Sequence, residues 1–195
     1  MSIIKTKSRG INLADNFAFT GNVTGAGTEI EVDQWELPNH FDDGFTAVVV
    51  IDTWQRASSA TSAKIGTGMS MTAGGVFSFP RTGLWTINLE TMYYSISGSD
   101  KAMGITIHGS TNDFSSEATI GTAYTSLIFA GSPTGNQYVN GSCSVLFNCS
   151  NIATHKVRFK TNSVDTLGEP SSIDVTGVAG NIHTGILFQR VGDAQ

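Results

Sequence analysis

The chain has 195 residues, 11 Lys and Arg against 16 Asp and Glu, and a net charge of −5. Charged residues make up only 14%, against a usual quarter, while Gly, Ser and Thr supply 66 positions and Pro only 4. That balance excludes a helical bundle or coiled coil, which needs Ala, Glu, Lys and Leu in quantity. Hydrophobic residues at 39% also exclude a disordered chain. The acidic balance gives no basic footprint for nucleic acid. No apolar run approaches the roughly 20 residues of a membrane-spanning helix, so no membrane insertion is expected. The segment Met1 to Gly10 lacks the apolar core of a signal peptide, so synthesis is expected in the cytoplasm without export by the usual route. Three glycosylation-like triplets, beginning at Asn22, Asn140 and Asn148, then read as chance in a Ser/Thr-rich chain.

Lys5, Lys7 and Arg9 form a basic tip. Residues 10 to 55 then hold eight acids and no Lys or Arg. Short apolar alternation around Phe17 and Phe19, followed by Gly21, Gly25 and Gly27, reads as an extended N-terminal arm over residues 1–28, outside the core domain of residues 29–195. Phe17 and Phe19 share one face of such a strand, where they pack on their own domain or dock on a neighbour; they are the candidate anchoring residues.

From Glu29 the period is two. Ile30 and Val32 alternate with the acids Glu31 and Asp33, and Trp35 and Leu37 then take the opposite parity, as after a bulge. The run Ala47 to Ile51, within 45–54, predicts a central strand covered on both faces. Residues 55–68 read as a small-residue loop. Met69 to Met71 and Val76 to Phe79 are short strands, the second stopped by Pro80. Leu84 to Ile96 is the longest, with Trp85, Ile87, Leu89 and Tyr93 on one face and Thr86, Asn88 and Glu90 on the other. Strands follow around Met103 to Ile107, Thr119 to Phe129, Tyr138 to Asn148, His155 to Thr161 and His183 to Val191. About ten antiparallel strands with Gly/Ser/Asn turns and no helix specify an all-β fold, a single jelly-roll sandwich.

Catalytic and metal signatures are missing. His40, His108, His155 and His183 form no HxH or HExxH, and no GxSxG or CxxC occurs. Cys143 and Cys149 lie six residues apart on one strand, roughly 20 Å, too far to bridge. Asp42 and Asp43 share a turn and fall short of the spaced oxygen set that calcium needs. No enzyme activity, cofactor or metal is expected. Tyr124 and Tyr138 flank the uncharged segment 128–137, read as an exposed loop, and are the candidates for external recognition. Trp54 and Trp85 fall in core-patterned strands.

The stretch Gly75-Val-Phe-Ser-Phe-Pro-Arg-Thr-Gly-Leu-Trp-Thr-Ile-Asn-Leu89 and the close, Gly180-Asn-Ile-His-Thr-Gly-Ile-Leu-Phe-Gln-Arg-Val-Gly-Asp193, resemble the complement globular-head family, similar in fold to tumour necrosis factor. The resemblance spans about residues 45–193. It implies a ten-strand jelly roll, a tight homotrimer about an axis lined by aromatic and aliphatic residues, and binding rather than catalysis; related heads sometimes bind calcium. The chain departs from that family in lacking a collagen-like stalk. The segment Arg9 to Gly27 resembles the opening of virion appendage and fibre-like proteins of marine tailed phages, including cyanophages. That resemblance implies a virion protein, a capsid-decorating or small fibre knob held to other virion proteins by its arm. The alternative is a fibre knob that binds a host surface glycan or protein.

Overall fold

The computed structural model describes residues 30–41, 48–59, 64–95, 101–127, 137–162, 173–178, 180 and 182–195. Phe17 and Phe19 lie outside them, as do Asp42 and Asp43. These residues form eleven strands: β1 (Val32–Glu36), β2 (Gln55–Arg56), β3 (Ser70–Met71), β4 (Phe77–Ser78), β5 (Gly83–Ser95), β6 (Lys101–Ser110), β7 (Ala118–Leu127), β8 (Gln137–Cys149), β9 (Lys156–Asn162), β10 (Ile173–Val175) and β11 (Gly185–Gly192). Among the described residues there is no helix. The strands form two antiparallel sheets. The first runs β10-β5-β11-β1-β2, with β8 also on β5; the second runs β3-β4-β9-β6-β7. Because β8 pairs with β5 along all 13 residues, β10 and β11 share the opposite flank of β5. Among the described residues β8 and β7 are therefore edge strands of their sheets, and they lie against each other on one side of the sandwich. A Cβ on Gly121 of β7 would meet Val145 and Cys143 of β8, so only glycine allows that approach.

The core sits between the sheets. Period-two alternation sends Trp85, Ile87, Leu89 and Tyr93 inward from β5, and Val157 and Phe159 inward from β9, as the pattern predicts. Phe77 lies at the centre, its ring 5.0 Å from Trp35, 5.2 Å from Phe188 and 5.6 Å from Phe159. Trp54 and Trp85 are buried. Tyr93 donates its hydroxyl to the carbonyl of Ala123, 3.1 Å, and burial pushes that hydroxyl far above its ordinary range. Cys143 and Cys149 both point inward from β8, unbridged; burial raises the Cys149 thiol to about 11.

Three expectations need correction. β1 has no bulge. Glu31, Asp33, Trp35 and Leu37 keep one parity and all are buried, while Ile30 is exposed. The acids are tolerated inside because each is paired. Asp33 accepts from Arg56 Nε and Nη2 at 2.8 and 2.9 Å, from Trp35 Nε1 at 3.0 Å and from the Met69 amide at 2.7 Å. Glu31 meets Arg81 at 3.0 Å and the Gly68 amide at 3.1 Å. Gly68 reaches that amide position with φ +76°, open only to a residue without a Cβ. Second, the described part of the 47–51 run, residues 48–51, is not a doubly covered central strand. Val48 and Val49 are exposed, and the described residues 48–51 pair along one flank of β9, through the Val50–Lys160 bridge and backbone hydrogen bonds to Phe159 and Thr161, with Ile51 alone turned fully inward. Its β-branched residues serve an edge. Third, the loop expected at 55–68 contains β2 and an Ile65–Val32 bridge. β10, absent from the expected strands, closes the flank of β5.

The two ends of the sandwich differ. The chain enters β1 beside the end of β11, where the Arg190 amide donates to the Glu31 carbonyl, 2.9 Å. Gln195 exchanges hydrogen bonds with Asn148 at 2.8 and 3.1 Å, so the C-terminus is fixed at the same end.

Candidate oligomer interface

The outer face of the first sheet is built by β5, β8, β11 and β1. Outward from β5 come Thr86, Asn88, Glu90, Met92 and Tyr94; outward from β8 come Tyr138, Asn140, Ser142, Ser144 and Leu146. Gln34 and Glu36 of β1 and Leu187 and Gln189 of β11 share it. Glu90 is the sole acidic or basic side chain that β5 and β8 send to this face; Glu36, across Gly185 from it, is buried and accepts from Gln55, Ser58 and the Gly180 amide. The neutral groups pair across strands: Ser144 donates to Asn88, 2.6 Å, and Tyr94 stacks on Tyr138 with centroids 5.8 Å apart. His40 meets the edge of Tyr94 at 5.2 Å. Leu146 is 64% exposed and Tyr138 57%, large apolar surfaces to leave in water. A cleft of about 410 Å³ opens beside Glu90 and His183, and a hollow of about 210 Å³ adjoins it at Gln34, Asn88 and Leu187.

The side of the sandwich adjoining this face is also uncharged. β7 and β8 together hold no Asp, Glu, Lys, Arg, His or Pro. Edge strands normally carry charge or proline against unwanted pairing, and these two carry neither.

The opposite outer face is of another kind. Lys156, Arg158 and Lys160 point outward from β9, as their alternation predicts. Glu117 binds both Arg158, at 2.7 Å, and Lys160. Arg158 also lies over the Phe114 ring, 4.3 Å from its centroid. His108 sits beside them, Nδ1 3.5 Å from Glu117 and Nε2 2.9 Å from the Thr106 hydroxyl. Burial lowers the His108 pKa, helped by Lys160 and Arg158, which together outweigh the raising effect of Glu117. Glu117 is raised by burial, but its bonds to Lys160 and Arg158 outweigh this and hold it below the ordinary carboxylate range. The folded state thus binds fewer protons than the unfolded chain at both sites. Both contributions to stability are full above about pH 6.5. His108 loses its share as pH falls below that value, and Glu117 loses its own below about 4.5. Denaturant titrations between pH 4 and 8 are expected to show stability rising with pH, with His108→Gln flattening the arm between 5 and 7. An unchanged pH dependence in that variant would contradict the assignment.

The candidate recognition residues stand apart. Tyr124 is on β7 opposite Gly104 and faces outward from the second sheet; Tyr138 is on β8 and faces outward from the first. Both lie on strands rather than in a loop, and one ligand cannot span them within one copy. His155 takes the Asn151 amide on Nδ1, 3.1 Å, in the β8–β9 turn. Among the described residues no three His, Cys, Asp or Glu side chains converge as metal ligands. No local pattern marks the cleft, because β5, β8 and residues 182–183 build it, 40 to 93 positions apart. A signal for the buried acids did exist: parity counted back from Trp35 and Leu37 falls on Asp33 and Glu31.

These two sheets, with β1, β5, β8 and β11 in one and β4, β6, β7 and β9 in the other, define a jelly roll of the tumour-necrosis-factor-like kind. The chain is similar to Eiger TNF from S. frugiperda, with a TM-score of 0.57 and 10% identity over 86% of this chain and 96% of that one. It is similar also to murine APRIL at pH 8.0 and pH 5.0, with TM-scores of 0.54 and 0.55 and 13% identity over 83% of this chain and 99% of those. No protein-family model matches the sequence. No curated protein matches it either.

Proposed function

We propose that the protein is a non-enzymatic structural protein of a virion: a homotrimeric knob that decorates the capsid or forms a small fibre, anchored to its partner by residues 1–28. The observation that carries the assembly is the uncharged β7–β8 edge beside an outer sheet face on which β5 and β8 present no charge but Glu90. Two different patches that adjoin at β8 favour a head-to-tail contact, edge of one copy on face of the next, which closes into a ring. Such a ring covers the edge of β8 and the exposed Tyr138 and Leu146, and places the Tyr94–Tyr138 pairs toward its axis. The entry of β1 lies at one end of the strands, so an axis along the strands sends every arm toward the same side. The resemblance of Arg9 to Gly27 to phage appendage openings supports the virion setting.

Light scattering on the purified protein is expected to give about three times 20.6 kDa. A 20.6 kDa species at all concentrations would overturn the assembly. Deleting residues 1–28 is expected to leave the trimer intact and to abolish its incorporation into particles; incorporation without the arm would overturn the anchoring.

A further inference from the structure

The cleft of about 410 Å³ on the outer face of the first sheet has polar walls of Glu90, Asn140, Ser142 and His183, and apolar ones of Met92 and Ile182. Glu90 is exposed, and Nδ1 of His183 is buried without a hydrogen-bond partner among the described residues. In a separate copy water can serve Glu90. Covering the face removes that water, and an unsatisfied carboxylate there would oppose association. Whatever covers the cleft must therefore bring a hydrogen-bonding group and a body that fits against Met92 and Ile182.

The chain carries one such group on the other contacting patch. Tyr124 is on the uncharged edge strand β7, is 48% exposed and has no hydrogen-bond partner for its hydroxyl among the described residues. It also stands at the level of the cleft. Tyr93 donates to the Ala123 carbonyl, and the Cβ position of Gly141 lies 3.4 Å from the Ala123 carbonyl carbon. Ala123 is thus level with Gly141, and Tyr124 with Asn140 to Ser142, which line the cleft. A ring whose axis runs along the strands turns each copy without lifting it, so residues at one height meet residues at the same height in the next copy. Of the other large exposed side chains near this edge, Leu146 cannot satisfy a carboxylate, and Tyr138 stacks on Tyr94 three residues along β8 from Gly141.

We infer that Tyr124 of one copy enters the Glu90–His183 cleft of the next. Its hydroxyl donates to the Glu90 carboxylate and accepts from the His183 imidazole, and its ring lies against Met92 and Ile182. The inference rests on the ring assembly proposed above. The cleft is larger than a phenol ring and polar enough to retain ordered water around it.

The test is the dissociation of the ring on dilution, followed by light scattering or native mass spectrometry. Tyr124→Phe is expected to raise the dissociation midpoint about tenfold and Tyr124→Ala about a hundredfold. Tyr124 is half exposed, so circular dichroism of both variants should match the parent fold. Glu90→Gln is expected to weaken the ring, and combining it with Tyr124→Phe to add less than the sum of the two. A parent ring that Tyr124→Ala leaves at the same midpoint, or strict additivity of the two changes, overturns this contact while the assembly stands. A parent protein that never associates overturns the assembly, and the contact with it.

Discussion

Replacing Phe77 with alanine is expected to lower folding stability by about 4 kcal/mol, the upper part of the range for a fully buried aromatic. The side chain is 0% exposed and its ring meets three others, Trp35, Phe188 and Phe159, within 5.0 to 5.6 Å. These neighbours come from β1, β11 and β9, so the ring joins both sheets at one point. The cavity left behind is walled by rings on strands already paired on both sides, which leaves little room to relax. Phe77→Leu keeps most of the volume and is expected to cost roughly half as much. Urea denaturation of the two variants should show falling midpoints at an unchanged slope. A loss below about 1 kcal/mol for Phe77→Ala would mean that the two sheets do not share this centre.

Arg56→Ala is expected to cost about 3 kcal/mol, by a different mechanism. Asp33 is 0% exposed, and Arg56 supplies the charge that balances it. Removing the guanidinium leaves a buried carboxylate with only the Trp35 and Met69 donors. The Arg56 side chain is 40% exposed, which keeps the loss below that of a fully buried pair. Arg56→Lys is expected to recover only part, because the fork geometry is in use: Nε and Nη2 both reach Asp33, Nη2 also reaches the Met69 carbonyl, and the group lies 5.0 Å over the Trp35 ring. Adding Asp33→Asn to Arg56→Ala should restore some stability, since a neutral amide is cheaper to bury than an unpaired charge. In a domain of this size each kcal/mol moves the melting temperature by about 2–4 °C, so Arg56→Ala should melt about 6–12 °C lower. If the double variant is no more stable than Arg56→Ala, the charge is not the cause.

The strands that could be read in advance are those whose two faces meet different solvents. β5 and β9 alternate strictly because one face is core and the other is not, and the residues state this directly. β1 misled because two acids sit on its core side. Their partners, Arg56 and Arg81, lie 23 and 50 residues away, so local pattern alone favours turning the acids outward. Val48 and Val49 misled in the opposite sense, since an apolar run at the end of a sheet looks like one at its centre. β10 is three residues, Ile173–Val175, too few for a period. The fold class needed only turn spacing and alternation. The candidate interface needed register: Tyr94 opposite Tyr138 and Asn88 opposite Ser144 follow from pairing, and Tyr124 level with Gly141 from the packing of one sheet on the other, neither of which linear spacing encodes.

The placement of β1 has a mechanical consequence. It is held on one side by β11 over five residues and on the other by β2 and Ile65, and its inward acids are tied to Arg56 and Arg81. A pull applied at Ile30 runs along this strand, perpendicular to the ladder bonds on both flanks. The bonds are then loaded together, in shear, and must fail as a group; a strand peeled from a sheet loses them one at a time. A load entering at Ile30 thus meets the fold at its strongest angle, with two ion pairs at the point where the force first arrives.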